Sequence, residues 1–211
     1  FAYCLGNGLY FPFAVGATTI LYPGKPHAEK AYEIIEHYRP TLFFGVPTSY
    51  ASMLALKGRP ARDDGSPTKP FDTSSLRLCI SAGESLPPAL FERWQERHGV
   101  EILDGIGSTE ILHIFISNRP GRVRPGSTGE LVPGYDARIV NEEGRDVPLG
   151  KIGDLLIKGD SVCACYWNQH EATQSTIQGH WIRTGDKYTR DQDGYFWYQG
   201  RSDDMLKVGG M

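Results

Sequence analysis

The feature that most constrains this chain is a change of rhythm near residue 120. Before it, short apolar runs alternate with segments of helical spacing. After it, short runs follow one another between turn signals. Residues 17–22, closed by Pro23 and Gly24, read as a strand and turn. Ala28, Ala31, Ile34, Ile35 and Tyr38 recur at helical spacing, and Pro40 stops that helix. Residues 41–46 read as a buried strand. Pro47 then opens a helix to about Leu56, with Gly58 as the residue just past its end. Residues 58–72 are polar and rich in Pro, Gly and Asp, as in a surface loop. A strand is expected over 76–81, a helix over 88–98 closed by Gly99, and a strand over 100–104 that runs into a loop ending at Glu110. This alternation predicts an α/β fold over residues 1–120, a helix-flanked, mostly parallel sheet.

From 121 to 199 the helical pattern vanishes. Strand-like segments at 135–140, 152–158 and 195–198 are parted by Glu143-Gly144, Leu149-Gly150 and Asp193-Gly194. That texture predicts a small antiparallel β-barrel subdomain. Residues 200–211 read as a polar connector.

Charge excludes some partners. The chain has 22 Lys+Arg against 25 Asp+Glu, a net charge of −3, so no basic footprint for nucleic acid or an anionic membrane stands out. No window approaches the ~18–20 apolar residues of a membrane-spanning helix. Cys4, Cys79, Cys163 and Cys165 are too few for a disulfide framework, and the last two are poorly spaced for zinc. They read as reduced thiols in a cytoplasmic protein. The start at Phe1 and the glycine-rich end at Val208-Gly209-Gly210-Met211 suggest a piece of a longer protein, and an uncovered sheet edge would favour association into a homo-oligomer.

Open α/β sheets place ligands in the loops at the carboxyl ends of their strands. Two such loops carry chemistry here: Ser81 to Ser85, and Asp104 to Glu110 with its Gly, Ser and Thr residues. Glu110 offers a hard oxygen ligand for Mg²⁺. Asp186, after Gly185, is placed to accept two ribose hydroxyls, and Gly200 to Lys207 has the polar character of a hinge. Taken singly, each has an ordinary reading as a turn, a helix cap or a solvated linker.

Together and in this order, the four segments resemble the adenylate-forming acyl-CoA synthetase superfamily over all 211 residues. Within it the chain looks most similar to benzoate-CoA ligases. The stretches that carry this are Phe1-Ala2-Tyr3 with Leu5-Gly6-Asn7, Gly45 to Thr48, Glu101 to Glu110, Leu112 to Phe115, Tyr166-Trp167-Asn168 and Gly200 to Val208. The resemblance implies a ligase that uses ATP, Mg²⁺ and coenzyme A to convert an aromatic carboxylate to acyl-AMP and then to a thioester.

Carried over residue by residue, the resemblance implies that Ala82, Gly83 and Glu84 line the adenine and that Asp104 contacts its amino group. Gly105 and Ile106 would wall the site; Ile106 stands where the superfamily often has Tyr. Thr109 would contact the α-phosphate and Glu110 would ligate Mg²⁺. Asp186 and Arg201 would hold the ribose. Asp203 would be the hinge to a further domain, and Lys207 would serve thioester formation. Ala2, Tyr3 and His113 would line the aryl pocket, whereas His37 and His98 read as helix-end dipole partners. The superfamily's phosphate loop and its adenylating lysine lie upstream and downstream of these motifs. The 211 residues alone are therefore expected not to turn over. The alternatives are a fatty-acyl or amino-acid adenylating enzyme, or a non-catalytic nucleotide-binding module.

Overall fold

The computed structural model describes residues 2–58 and 69–202. Two short helices, α1 (Ala2–Leu5) and α2 (Phe11–Ala14), are joined by a π-type turn over Gly6–Tyr10. Helix α3 (Ala28–Tyr38) buries Tyr32 and Ile35 on one face and ends at Arg39 in the left-handed region. Strand β1 (Leu42–Gly45), helix α4 (Pro47–Ala55), strand β2 (Leu78–Ser81) and helix α5 (Pro88–His98) follow. Proline at the first turn suits α4 and α5, because the missing N–H has no intrahelical partner there. Gly99, at φ 67°, closes α5. Strand β3 (Ile102–Gly107) leads through a 3₁₀ turn at Thr109–Ile111 to β4 (Ile114–Ser117) and β5 (Glu130–Leu131).

These five strands form one sheet in sequence order. The pairs β1–β2 and β2–β3 are parallel; β4 and β5 extend the sheet antiparallel. The second sheet has β6 (Tyr135–Val140), β7 (Gly153–Gly159), β9 (Trp181–Arg190) and β10 (Phe196–Arg201) in the antiparallel order β10-β9-β7-β6. Helix α6 (His170–Thr176) and the two-residue β8 (Ile177–Gln178), which pairs with β9, lie between β7 and β9.

Two cores result. In the first, α3, α4 and α5 cover the parallel strands with Tyr32, Ile35, Tyr50, Met53 and Trp94 over Cys79 and Ile102. The second joins the two sheets. Ile106, Ile111, Phe115 and Ile116, from β3 to β4, pack with Ile139, Leu155, Ile157, Ile182 and Phe196 of the second sheet.

Several sequence expectations change. Residues 17–22 form no strand. Leu21 is 75% exposed, and β-branched residues form a strand only where a neighbouring strand takes their backbone groups. Gly58 does not cap α4, which ends with Leu56 already extended. Of the 58–72 loop, residues 59–68 lie outside the described residues. Residues 105–107 continue β3 instead of starting a loop, because β4 returns against them. A Cβ on Gly105 would lie 2.9 Å from the Ile116 carbonyl oxygen, and one on Gly107 would lie 2.5 Å from that of His113. These glycines therefore serve the close approach of two strands. A helix, α6, does occur after residue 120, and the ten-residue β9 passes through the expected Gly185 turn. His98 is no charged dipole partner. Its ring lies between the Tyr32 hydroxyl at 3.1 Å and the Thr73 hydroxyl at 3.0 Å. Burial lowers its pKa to about 4.

Candidate functional site

A cavity of about 420 Å³ opens after β2 and along the second half of β3, facing β9 and β10. The first sheet contributes Gly83, Glu84, Ser85, Asp104, Gly105, Ile106 and Gly107. The other wall carries Thr128, Asp186, Tyr188, Tyr198, Gly200 and Arg201.

Asp104 lies where β2 and β3 are in register, opposite Ser81, and is only 4% exposed. The Leu86 N–H donates to its Oδ2 at a long 3.5 Å. Ser81 is close to the carboxyl, but neither Oδ1 nor the Ser81 hydroxyl completes a hydrogen bond among the described residues. Burial drives the Asp104 pKa well above the usual carboxylate range, against the N–H groups of Leu86 and Gly105. A buried, unpaired carboxyl oxygen on a cavity wall is suited to a donor from a ligand.

Across the cavity, Asp186 and Arg201 are direct cross-strand partners on β9 and β10. Arg201 Nη1 donates to Asp186 Oδ1 at 3.1 Å and to the Thr184 carbonyl at 3.2 Å. The Asp186 N–H donates to Thr184 Oγ1 at 3.1 Å. Both side chains are largely buried, so breaking this pair would cost about 3–5 kcal/mol. Tyr188, two residues beyond Asp186 and hence on the same strand face, meets the Thr128 hydroxyl at 3.1 Å. Tyr198 sets its ring edge-on to Tyr188 with centroids 5.6 Å apart.

Glu110 lies on the 3₁₀ turn just beyond β3, outside the cavity wall, next to Thr109. The Tyr166 hydroxyl donates to Glu110 Oε1 at 2.9 Å. Burial first, and then Glu110, push the Tyr166 pKa up to about 12, so the phenol stays a donor. No group of three or more His, Cys, Asp or Glu side chains suited to a metal lies together among the described residues. A lone carboxylate with an oxygen to spare fits Mg²⁺, which takes few protein ligands and completes its shell with phosphates and water.

A ring cluster lies by the carboxyl ends of β1 and β2. Tyr3 and His113 stack with centroids 5.7 Å apart, and Phe11 meets His113 edge-on at 4.6 Å. The Tyr3 hydroxyl shares its one proton between the carbonyls of Gly45 at 3.0 Å and Ile80 at 3.1 Å, near the ends of β1 and β2. It is thus committed to backbone. Burial lowers the His113 pKa, so its ring is neutral near pH 7. Gly6 lets α1 approach, since a Cβ there would lie 2.4 Å from the His113 ring.

The structure therefore brings Gly83, Glu84, Asp104, Gly105, Ile106, Asp186 and Arg201 to one cavity. Ala82 is buried just before Gly83, and Thr109 and Glu110 follow on the adjoining turn. Tyr3 and His113 form the separate ring cluster, with Ala2 half-buried beside Tyr3 in sequence. Asp203 and Lys207 lie outside the described residues.

Sequence reasoning missed Thr128, Tyr188, Tyr198 and the link from Tyr166 to Glu110. The period of two along β9 would have marked Tyr188 as a neighbour of Asp186 had that strand been recognised. It also missed Asn118. The side-chain amide of Asn118 donates to the Ser127 carbonyl at 2.8 Å, while its backbone N–H donates to the Asp104 carbonyl at 2.8 Å.

Residues 1–167 match the family described as AMP-binding enzyme. The chain is 50% identical over its full length to a benzoate–CoA ligase of Thauera aromatica, of which it spans 38%. It is 42% identical, again over its full length, to an anthranilate–CoA ligase of Pseudomonas aeruginosa, with the same 38% spanned. Among solved structures, an anthranilate CoA ligase in complex with anthranoyl-AMP superposes with a TM-score of 0.88 at 50% identity, over all of this chain and 39% of that one. A benzoate CoA ligase from Burkholderia xenovorans does so at 0.87 and 51%, over all of this chain and 41% of that one. The chain thus spans about two fifths of the length of these relatives. With its fold, its cavity and a family match that covers most of its residues in agreement, the chain belongs to the AMP-binding enzyme family.

Proposed function

We propose that these residues form the nucleotide-binding and acid-binding part of an aryl-CoA ligase of the benzoate type, a cytoplasmic acid–thiol ligase. The single observation that carries this reading is the buried, unpaired Asp104 Oδ1 facing the Asp186–Arg201 pair across one cavity. A purine amino group would complete the first, and a ribose diol would bind beside the second. The cavity's volume of about 420 Å³ suits a nucleotide-sized ligand. The relatives named above act on benzoate and anthranilate, and the neutral Tyr3–His113 stack is suited to a flat, uncharged ring of that size.

In the reaction, the aromatic carboxylate attacks the α-phosphate of ATP and releases pyrophosphate. The thiol of coenzyme A then displaces AMP. Both reactants of the first step are anionic, so alignment and charge neutralisation dominate catalysis. Asp104 and Asp186 would hold the base and ribose, Tyr3 and His113 the ring, and Thr109 would donate to the α-phosphate. Glu110 would hold Mg²⁺, which supplies charge neutralisation at the phosphates. Residues 1–120 and 121–199 would act as two subdomains around this site; Gly200 and Arg201 complete β10, so the hinge would follow that strand, with Asp203 as its pivot and Lys207 serving the second step.

Calorimetric titration with a non-hydrolysable benzoyl-AMP analogue tests this, on the full-length protein that carries these residues. Binding should weaken at least tenfold in Asp104→Ala and in Asp186→Ala. It should also exceed that of AMP and of a long-chain acyl-AMP analogue. No binding, or equal affinity for all three ligands, would overturn the reading.

A further inference from the structure

The loop between β7 and α6, residues 160–169, belongs to the second sheet, yet it reaches the turn that follows β3. Three hydrogen bonds fasten it there. The Cys163 N–H donates to the Glu110 carbonyl at 2.7 Å, and the Ser161 hydroxyl donates to the Ile111 carbonyl at 2.8 Å. The third runs from the Tyr166 hydroxyl to Glu110 Oε1 at 2.9 Å. Two of the three hold the backbone of the turn, and one holds the side chain that the function depends on.

Tyr166 is itself placed independently of Glu110. Its N–H donates to Thr173 Oγ1 at 3.0 Å and its carbonyl accepts from the Gln169 N–H at 3.1 Å, so the first turn of α6 fixes its backbone. Its hydroxyl is the one side-chain partner that Glu110 has among the described residues.

We propose that Tyr166 is a positioning residue for Glu110, fixing its carboxylate through Oε1 so that Oε2 faces the metal and the phosphates. The inference rests on the reading of Glu110 as the Mg²⁺-holding group of the proposed ligase. A glutamate on a surface turn samples many rotamers, and only some present an oxygen to an ion. A phenol donor on one oxygen removes that freedom while leaving the second oxygen available. Partners of this kind, one bond removed from the metal, typically alter metal affinity by about 10- to 100-fold. The arrangement also ties a group on the first sheet to a loop of the second.

The test is Mn²⁺ binding to the ATP complex of the full-length protein, followed by electron paramagnetic resonance of free Mn²⁺. Tyr166→Phe keeps the ring and removes only the hydroxyl. It should weaken Mn²⁺ binding about tenfold, while affinity for the metal-free benzoyl-AMP analogue stays unchanged. In a Glu110→Gln background the same substitution should change nothing further. Ser161→Ala, which loosens the turn without touching Tyr166, should shift Mn²⁺ binding in the same direction by a smaller factor. Unchanged Mn²⁺ affinity in Tyr166→Phe, or an undiminished effect in the Glu110→Gln background, would overturn the proposal. Loss of analogue binding by the unaltered protein would instead overturn the ligase reading beneath it.

Discussion

In the first core, rings from three helices close over three parallel strands; in the second, two β-layers share one set of largely aliphatic side chains. The division does not follow the sheets. Strands β3 and β4 belong to the first sheet by hydrogen bonding, yet Ile106, Phe115 and Ile116 point into the second core. The cavity lies along this seam, with one wall from each sheet. Damage confined to the first core should therefore lower stability without reshaping the site, whereas damage at the seam should do both.

The seam offers the sharpest break. Gly129 has φ +106°, and a Cβ there would lie 2.0 Å from the Asn118 backbone nitrogen. Its carbonyl accepts from the Phe196 N–H of β10 at 2.8 Å, which ties the two sheets together. Gly129→Ala should cost about 5 kcal/mol or more, read as loss of the urea transition or of soluble protein. Gly99→Ala is the control from the first region. It also has positive φ, at +67°, but nothing lies within 4 Å of its Cβ. Its cost should stay near 1 kcal/mol.

Trp94→Ala comes next. The ring is fully buried, 4.8 Å from Tyr50 and 4.3 Å from His98 between centroids. Removal should cost about 3–5 kcal/mol in urea unfolding. Where the variant is still folded, its affinity for the benzoyl-AMP analogue should match that of the unaltered chain. A fall in affinity would show that the two cores are not separable.

Acid gives the smallest and most selective difference. Burial holds His98 in the first core at about 4, below its ordinary 6.5. The unfolded chain therefore takes up a proton near pH 6.5 and the folded one does not, so the fold loses stability as pH falls from about 6.5 to about 4. In the second sheet, burial tends to raise Asp154, but the Ser202 hydroxyl, Lys187 and Arg183 outweigh it and hold the pKa below 3.8. Its contribution persists until pH falls below that value. Asp104 at the seam acts in the opposite sense: its raised pKa stabilises the fold in acid and costs stability as pH rises. Hydrogen exchange should accordingly show α3 and α5 losing protection between pH 6.5 and 4, with β7 and β9 protected to lower pH. Simultaneous loss in both regions would refute the distinction.

Local chemistry made much of the first region legible. The helix over 88–98 and its Gly99 cap were expected as found, because proline at the start, glycine at the end and helical spacing act within one segment. Strand β6 over 135–140 was equally plain from its flanking turns. The failures share a cause. Residues 17–22 have strand composition without a strand partner, and Gly105 to Gly107 have loop composition yet pair with β4. Strand formation depends on what lies alongside, and that is not written in the segment itself. Asp104, Asp186 and Arg201 were read as a set because the motifs that carry them, taken together and in order, resemble those of the adenylate-forming superfamily.

Sequence by itself determined the α/β character of the first part, the turn-punctuated strands of the second, and the chemical groups available to a site. Only the tertiary structure decided that β3 serves two cores, that Tyr188 and Thr128 wall the cavity, and that Tyr166 reaches Glu110 across 56 positions of sequence. Propensity, capping and turn preference act over a few residues, so the chain displays them directly. Strand neighbours, buried hydrogen bonds and shared cores join distant residues, and their pairing follows from which surfaces can be buried together.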